Sequence, residues 1–160
     1  SRGDRAISFL AGVLVGITQK YGSGREFVGH VGGDDFVVVS SSKDAEKLAR
    51  RIIEEFDEGK VDLHDPEDFA NGYLEIESRS GQIERFPLIT LTLALVADCR
   101  GRFQHPAELS DTLVELKRYG KTKPHSVVVQ ERRSGENNPE MVAVISEQDA
   151  SEDPNGSPGS

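Results

Sequence analysis

Apolar and polar positions along the chain follow two periods, and the elements lie where each period holds. Between residues 4 and 20, Ile7, Leu10, Leu14 and Ile17 recur at spacings of three and four, one face of a helix. Tyr21-Gly22-Ser23-Gly24 stops it. Phe27-Val28 and Phe36-Val37-Val38-Val39 are aromatic and β-branched runs around Gly32-Gly33-Asp34-Asp35, the pattern of a hairpin. Ser41 or Ser42 is placed to cap a second helix, near residues 43–57, with Ala45, Leu48, Ile52, Ile53 and Phe56 on one side. Asp65-Pro66-Glu67 opens a turn or a short helix. Tyr73-Leu74-Glu75-Ile76 and Gln82-Ile83-Glu84 flank Ser80-Gly81 as a smaller hairpin. Residues 88–96 are apolar or β-branched almost throughout, as in a strand buried in the middle of a sheet. A third helix over residues 106–120 follows, with Leu109, Leu113 and Leu116 inward, and Val127-Val128-Val129 makes a last strand.

The order helix, strand, strand, helix, hairpin, strand, helix, strand predicts an α+β fold: an antiparallel sheet with helices packed around it. A βαββαβ arrangement supplies the middle that such a sheet needs. Its opening strand is absent from the chain, so the natural protein is expected to extend upstream of Ser1. The domain spans residues 1–133, and residues of about 57–87 are expected as a solvent-facing excursion, too rich in Glu, Asp and Gly to form core. After Arg133 the composition turns to Gly, Pro, Ser, Asn, Asp and Glu, which cannot offset its ordering entropy. Residues 134–160 are therefore read as a disordered acidic tail, apart from local pairing at residues 141–145.

Composition sharpens this picture. Of 160 residues 36% are hydrophobic, a low share that fits an unpacked tail. The formal charge is −9, yet six of the 28 acidic residues lie in residues 134–160, which hold no Lys or Arg. The acidic balance gives no electrostatic footprint for DNA, RNA or an anionic membrane. Cys99 is the single cysteine; it excludes an internal disulfide and a multi-cysteine zinc site and fits a reducing compartment. With no signal peptide and no long apolar run, a soluble, cytoplasmic domain is expected.

Candidate chemistry concentrates in Gly29-His30-Val31-Gly32-Gly33-Asp34-Asp35-Phe36. Two glycines let the backbone turn tightly and let a bulky anion approach. Two adjacent carboxylates at a hairpin tip suit a hard divalent cation. Glycines for phosphates beside acids for magnesium make a nucleotide-metal site. A Gly-Gly type I′ turn with two solvated aspartates is the other reading of the same residues. Elsewhere His30, His64, His105 and His125 show no metal-ligand spacing. Asp62, Asp65, Glu67 and Asp68 lack the interior glycine and closing glutamate of a calcium loop and read as a solvated turn.

Gly32-Gly33-Asp34-Asp35-Phe36 resembles the signature of GGDEF domains, the diguanylate cyclases, with Asp in place of its Glu. Gly3-Asp4-Arg5-Ala6-Ile7 is similar to the family's Gly-Asp-x-x-Leu at the start of its first helix. Phe86-Pro87-Leu88-Ile89-Thr90-Leu91-Thr92-Leu93-Ala94 resembles its central strand, and Tyr119-Gly120-Lys121 its alanine-lysine pair late in the last long helix. The likeness covers residues 3 to about 130 in the family's order, and its wording looks like a subgroup often joined to receiver domains. It implies a nucleotidyl-cyclase palm that joins two GTP into cyclic di-GMP, releasing two pyrophosphates, with Mg2+ or Mn2+ as cofactor.

By the same resemblance, Asp4 would bond the guanine edge with Ile7 packing near the base. Gly32 and Gly33 would approach the triphosphate, and Lys121 its terminal phosphates. Asp34 would hold magnesium. Asp35 would act at the metal or as the base for the ribose 3′-hydroxyl. Each subunit holds one GTP, so a homodimer is implied, with an upstream receiver or sensor domain as its control. Without the resemblance, Asp4 is the N-cap of the first helix, and Lys121 with Lys123 complements a helix C-terminus.

The departures are specific. The family's first strand, with a metal-binding aspartate, and its guanine-binding asparagine are absent, so little turnover is expected from this chain alone. Asp35 is one methylene shorter than Glu. His125 stands for an arginine that contacts phosphate. The Arg-x-x-Asp product-inhibition motif would fall on Ser23 and Glu26, and without its arginine that feedback site is expected to be lost. A degenerate, non-catalytic GGDEF domain that binds GTP or a partner protein is the alternative function.

Overall fold

The structure, a computed structural model, describes residues 2–96, 101–134 and 138–144. Cys99 and the tail beyond residue 144 lie outside the described residues. The fold is α+β. Among the described residues no helix is long and apolar enough to cross a membrane.

Helix α1 (Arg2–Tyr21) buries Val13, Leu14, Ile17 and Thr18, the face that the spacing of three and four predicts. It begins before Asp4, so Asp4 lies in its first turn and not at the cap. Strand β1 (Phe27–Gly32) pairs antiparallel with β2 (Asp35–Val39). Helix α2 (Ser42–Gly59) buries Leu48, Ala49, Ile52, Ile53 and Phe56. Ser41 is its N-cap residue, but the Ser41 hydroxyl donates to Asp44 Oδ2 at 2.8 Å and accepts from no backbone N–H of the first turn.

The excursion leaves from the end of α2. A 3-10 turn over Lys60–Leu63 leads to the short helix α3 (Pro66–Asn71), and neither contains a buried residue. Pro66 starts α3, where its missing N–H costs nothing. Gly72 ends it at φ +78°, a left-handed conformation that closes N–H bonds onto the Asp68 and Phe69 carbonyls. Strands β3 (Tyr73–Glu77) and β4 (Ile83–Pro87) form the second hairpin, with Ile76, Ile83 and Phe86 exposed.

The third sheet departs from expectation. Strand β5 covers only Thr92–Leu95 and lies at the edge of the order β5-β6-β7. It pairs parallel with β6 (Val127–Ser134), with Thr92 opposite Val127 and Leu95 opposite Gln130. Helix α4 (Pro106–Gly120) lies between them in sequence and makes the crossover that parallel neighbours require. Strand β7 (Asn138–Val144) then pairs antiparallel with β6, so the local pairing expected from residue 141 begins at Asn138. Among the described residues the hydrogen-bonded strands form three separate small sheets, not one antiparallel sheet.

Packing explains the apolar run before and within β5. Leu91, Leu93, Leu95 and Val128 join the α1–α2 core, together with Val28, Phe36 and Val38 of the first hairpin. On the other side Val127, Val129, Ala94 and Val96 pack with Leu116 and Tyr119 of α4. Consecutive residues of β6 thus serve opposite layers, the period of two made visible. Helices cover both faces, and so both faces are apolar. A Cβ on Gly120 would sit 2.4 Å from Thr92 Cγ2, so α4 ends against the sheet only because residue 120 has none.

Polar contacts tie the excursion back to the domain. Arg2 Nη2 meets Asp65 Oδ2 at 2.5 Å, and Arg5 Nη2 donates to the Asp62 carbonyl at 2.9 Å. The Ile89 N–H donates to His64 Nε2 at 3.3 Å, which requires an unprotonated Nε2. Burial, then the charge of Lys60, lowers the His64 pKa; Asp68 and Asp65 act against this and Arg2 with it. The resulting stability is fully present above the unfolded value of about 6.5 and is lost as pH falls toward the lower folded value. Urea midpoints measured at about pH 7.5 and about pH 5.5 should therefore differ more for the wild type than for His64→Gln, whose amide oxygen accepts without titrating. An equal difference in both proteins would remove His64 from the account.

Candidate functional site

The first hairpin ends in two turn residues, Gly33 and Asp34, because the last pair in the register is Gly32 opposite Asp35. Asp34 is therefore at the tip and Asp35 opens β2. Pairing shifts between His30 and Gly32, so Val31 is an extra residue that bulges outward and is 73% exposed. Gly33 takes φ +57°, a left-handed turn conformation. A Cβ built on Gly32 or Gly33 would meet nothing within 4 Å. The space over both glycines is open, which suits the approach of a bulky anion.

Asp35 has a partner from a distant element. Lys117 Nζ on α4 donates to Asp35 Oδ1 at 2.6 Å. This hydrogen bond, then the charges of Lys117 and Lys121, holds the Asp35 carboxyl below the usual carboxylate range. Sequence reasoning singled out Lys121 and missed Lys117. The available signal was their spacing of four, which sets both ammonium groups on one side of the C-terminal end of α4, where Lys121 is the capping residue.

His30 completes the tip. Its ring stacks on Phe36 with centroids 4.5 Å apart and planes 13° apart. His30 Nε2 donates to the Gly33 carbonyl at 2.8 Å.

Asp4 belongs to a different place. It lines a cavity of about 460 Å³ with Arg5, Ser8, Phe9, Gly59 and Asp62, between the start of α1 and the end of α2. The Phe9 ring fills the position that a Cβ on Gly59 would take, 2.4 Å from Cζ. Ile7 is half-buried and is not among the lining residues of this cavity. The tip residues do not line it either. The structure thus joins Asp35 with Lys117 and, through charge, Lys121, while Asp4 sits at its own cavity.

The remaining candidates have structural partners. Ser23 donates from its N–H and its hydroxyl to Glu26 Oε1 at 2.7 and 2.9 Å, and the Gly24 N–H donates to Glu26 Oε2 at 2.9 Å. The Ser23 backbone bond is the foremost reason that the Glu26 carboxyl is lowered to about 2. His125 Nδ1 donates to the Ser126 carbonyl at 3.1 Å. Asp65 and Asp68 both face Arg2, as a solvated acidic turn answered by a neighbouring cation.

A divalent cation fits the tip on chemical grounds. Among the described residues no group of three or more His, Cys, Asp or Glu side chains gathers. Magnesium, however, commonly takes one or two carboxylates and completes its shell with phosphate oxygens and water. Asp34 and Asp35 supply that number beside an open glycine turn. Lys117 already holds Asp35, so a cation there competes with an ammonium group. Comparison with family models, with curated proteins and with solved structures returned no match to this chain.

Proposed function

We propose that the chain is a GGDEF-type diguanylate cyclase domain, which joins two GTP molecules into cyclic di-GMP with release of two pyrophosphates. One observation carries this proposal: Asp35, beside a two-glycine hairpin tip that bears Asp34, bonds Lys117 of α4 and lies within the charge of Lys121, the residue that caps that helix. The carboxylates suit a divalent cation, the glycines leave room for a triphosphate, and the lysines offer its terminal phosphates positive charge. Magnesium, when bound, would neutralise charge developing on the transferred and leaving phosphates. Asp34 and Asp35 are its proposed ligands.

Within that scheme the residues divide the work. Asp35 accepts the proton of the ribose 3′-hydroxyl as that oxygen attacks the α-phosphorus of a second GTP. The Pα–O bond to the leaving pyrophosphate breaks as the new ester forms. Lys117 and Lys121 hold the β- and γ-phosphates. Asp4 receives the guanine at its cavity, with Ile7 on the adjoining turn. Because each GTP is held by one subunit, two domains must face each other, and an upstream receiver or sensor domain would control that approach. A palm-type α+β domain is part of the proposal; its support is that Val28, Phe36 and Val38 of the hairpin lie in one core with Leu91 and Leu93.

A regulatory module that binds GTP without turnover is the second reading. It is favoured by the Asp35–Lys117 ion pair and by the shorter carboxylate at position 35. Calorimetry with GTP, with and without magnesium, on wild type and Asp34→Asn separates these outcomes. Affinity should depend on magnesium and fall at least about tenfold in Asp34→Asn, which keeps shape but removes the charge a hard cation needs. Equal affinity in all four conditions would leave an interaction module. In a longer chain that carries a strand upstream of Ser1, magnesium-dependent binding without cyclic di-GMP, at concentrations that force dimerisation, would favour the regulatory module; product would favour the enzyme.

A further inference from the structure

The tip is built from residues that do not hold their own shape. Residues 31–34 are all exposed, and two of them are glycines, which sample more backbone conformations than any other residue. Val31 lies outside the strand register, and the ladder ends at Gly32 opposite Asp35. Binding geometry at Asp34 therefore depends on something that reaches the turn from more rigid structure.

His30 makes that connection. Phe36 packs against the α1–α2 core, the imidazole of His30 stacks on Phe36, and Nε2 donates to the Gly33 carbonyl. The Gly33 carbonyl and the Asp34 N–H belong to one planar peptide unit and point in opposite directions when that unit is trans; no cis bond occurs among the described residues. Fixing the carbonyl toward His30 thus turns the Asp34 N–H away from it and sets the direction in which the Asp34 Cα leaves the turn. We propose that His30 is a positioning residue that orients the Gly33–Asp34 peptide, so that Asp34 meets magnesium-bound GTP in a single geometry. This rests on the reading of the tip as a magnesium-nucleotide site.

Two substitutions separate the ring from the donor. His30→Phe keeps the stack on Phe36 and removes the hydrogen bond. His30→Gln gives up the stack and returns an amide N–H donor near the same place. Binding of magnesium-GTP to the full chain, measured by calorimetry, should weaken about tenfold or more in His30→Phe, the size typical of residues that orient a metal ligand. It should recover most of that loss in His30→Gln. The Gly33 carbonyl 13C shift should move in His30→Phe and return in His30→Gln, while the thermal midpoint of both stays at the wild-type value. Wild-type affinity in His30→Phe would overturn the positioning role and leave the nucleotide site standing. Equal weakness in both variants would overturn the hydrogen bond as its basis. A wild type that binds no magnesium-GTP would overturn the site itself, and the role of His30 with it.

Discussion

Phe56→Ala is expected to lower the unfolding free energy by about 3–5 kcal/mol, the cost of removing a large buried aromatic side chain and leaving a cavity. Phe56 is 2% exposed and sits in the core between α1 and α2. Its ring lies 5.7 Å from that of Phe9, tilted by 41°. Phe9 in turn lies over Gly59 and lines the cavity that holds Asp4. The variant should therefore loosen the proposed guanine end of the domain as well as its core. Equilibrium denaturation in urea measures the first effect. A loss below about 1 kcal/mol would mean that α1 and α2 do not enclose Phe56 as described.

Ser126→Ala removes one oxygen and is expected to cost about 1–3 kcal/mol, because it strands a buried donor rather than a greasy surface. Ser126 is 1% exposed. Its hydroxyl accepts the Leu91 N–H at 3.0 Å and donates to Asp57 Oδ1 at 2.7 Å. Lys60 Nζ donates to the same Asp57 oxygen at 2.8 Å. One hydroxyl thus joins the end of α2, the residue before β5 and the residue before β6. Without it the Leu91 N–H has no acceptor in its place, and Asp57 loses a neutral donor while keeping its lysine. Denaturant unfolding should report the loss, and hydrogen exchange at the Leu91 amide should quicken with it. Unchanged exchange at Leu91 would show that another acceptor replaces the hydroxyl.

Much of the local structure was legible along the chain. The spacing of Leu14 and Ile17, and of Leu48, Ile52, Ile53 and Phe56, marks the faces that α1 and α2 bury. Gly32-Gly33-Asp34-Asp35 marks the hairpin tip, Ser80-Gly81 the second hairpin, and Asp65-Pro66 the start of α3. Other readings failed where local signals carry no information about partners. Residues 88–96 were rightly apolar on both faces, yet only Thr92–Leu95 pairs, and in parallel with β6. Asp4 suits a cap by residue type, but α1 starts ahead of it.

The difference has a physical origin. Whether a position is buried depends on a residue and its near neighbours in a repeating geometry, so a period of two or of three and four exposes it. Apolar burial, however, is non-directional, and a buried face does not name what covers it. The sequence by itself therefore determined the helices, the two hairpins and the placing of two carboxylates at a glycine turn. Only the tertiary structure decided that β5 runs parallel to β6, that His64 accepts from Ile89, and that Asp35 meets Lys117 across 82 positions of chain. Those contacts depend on hydrogen-bond geometry within about 3 Å, which exists only after the layers have packed.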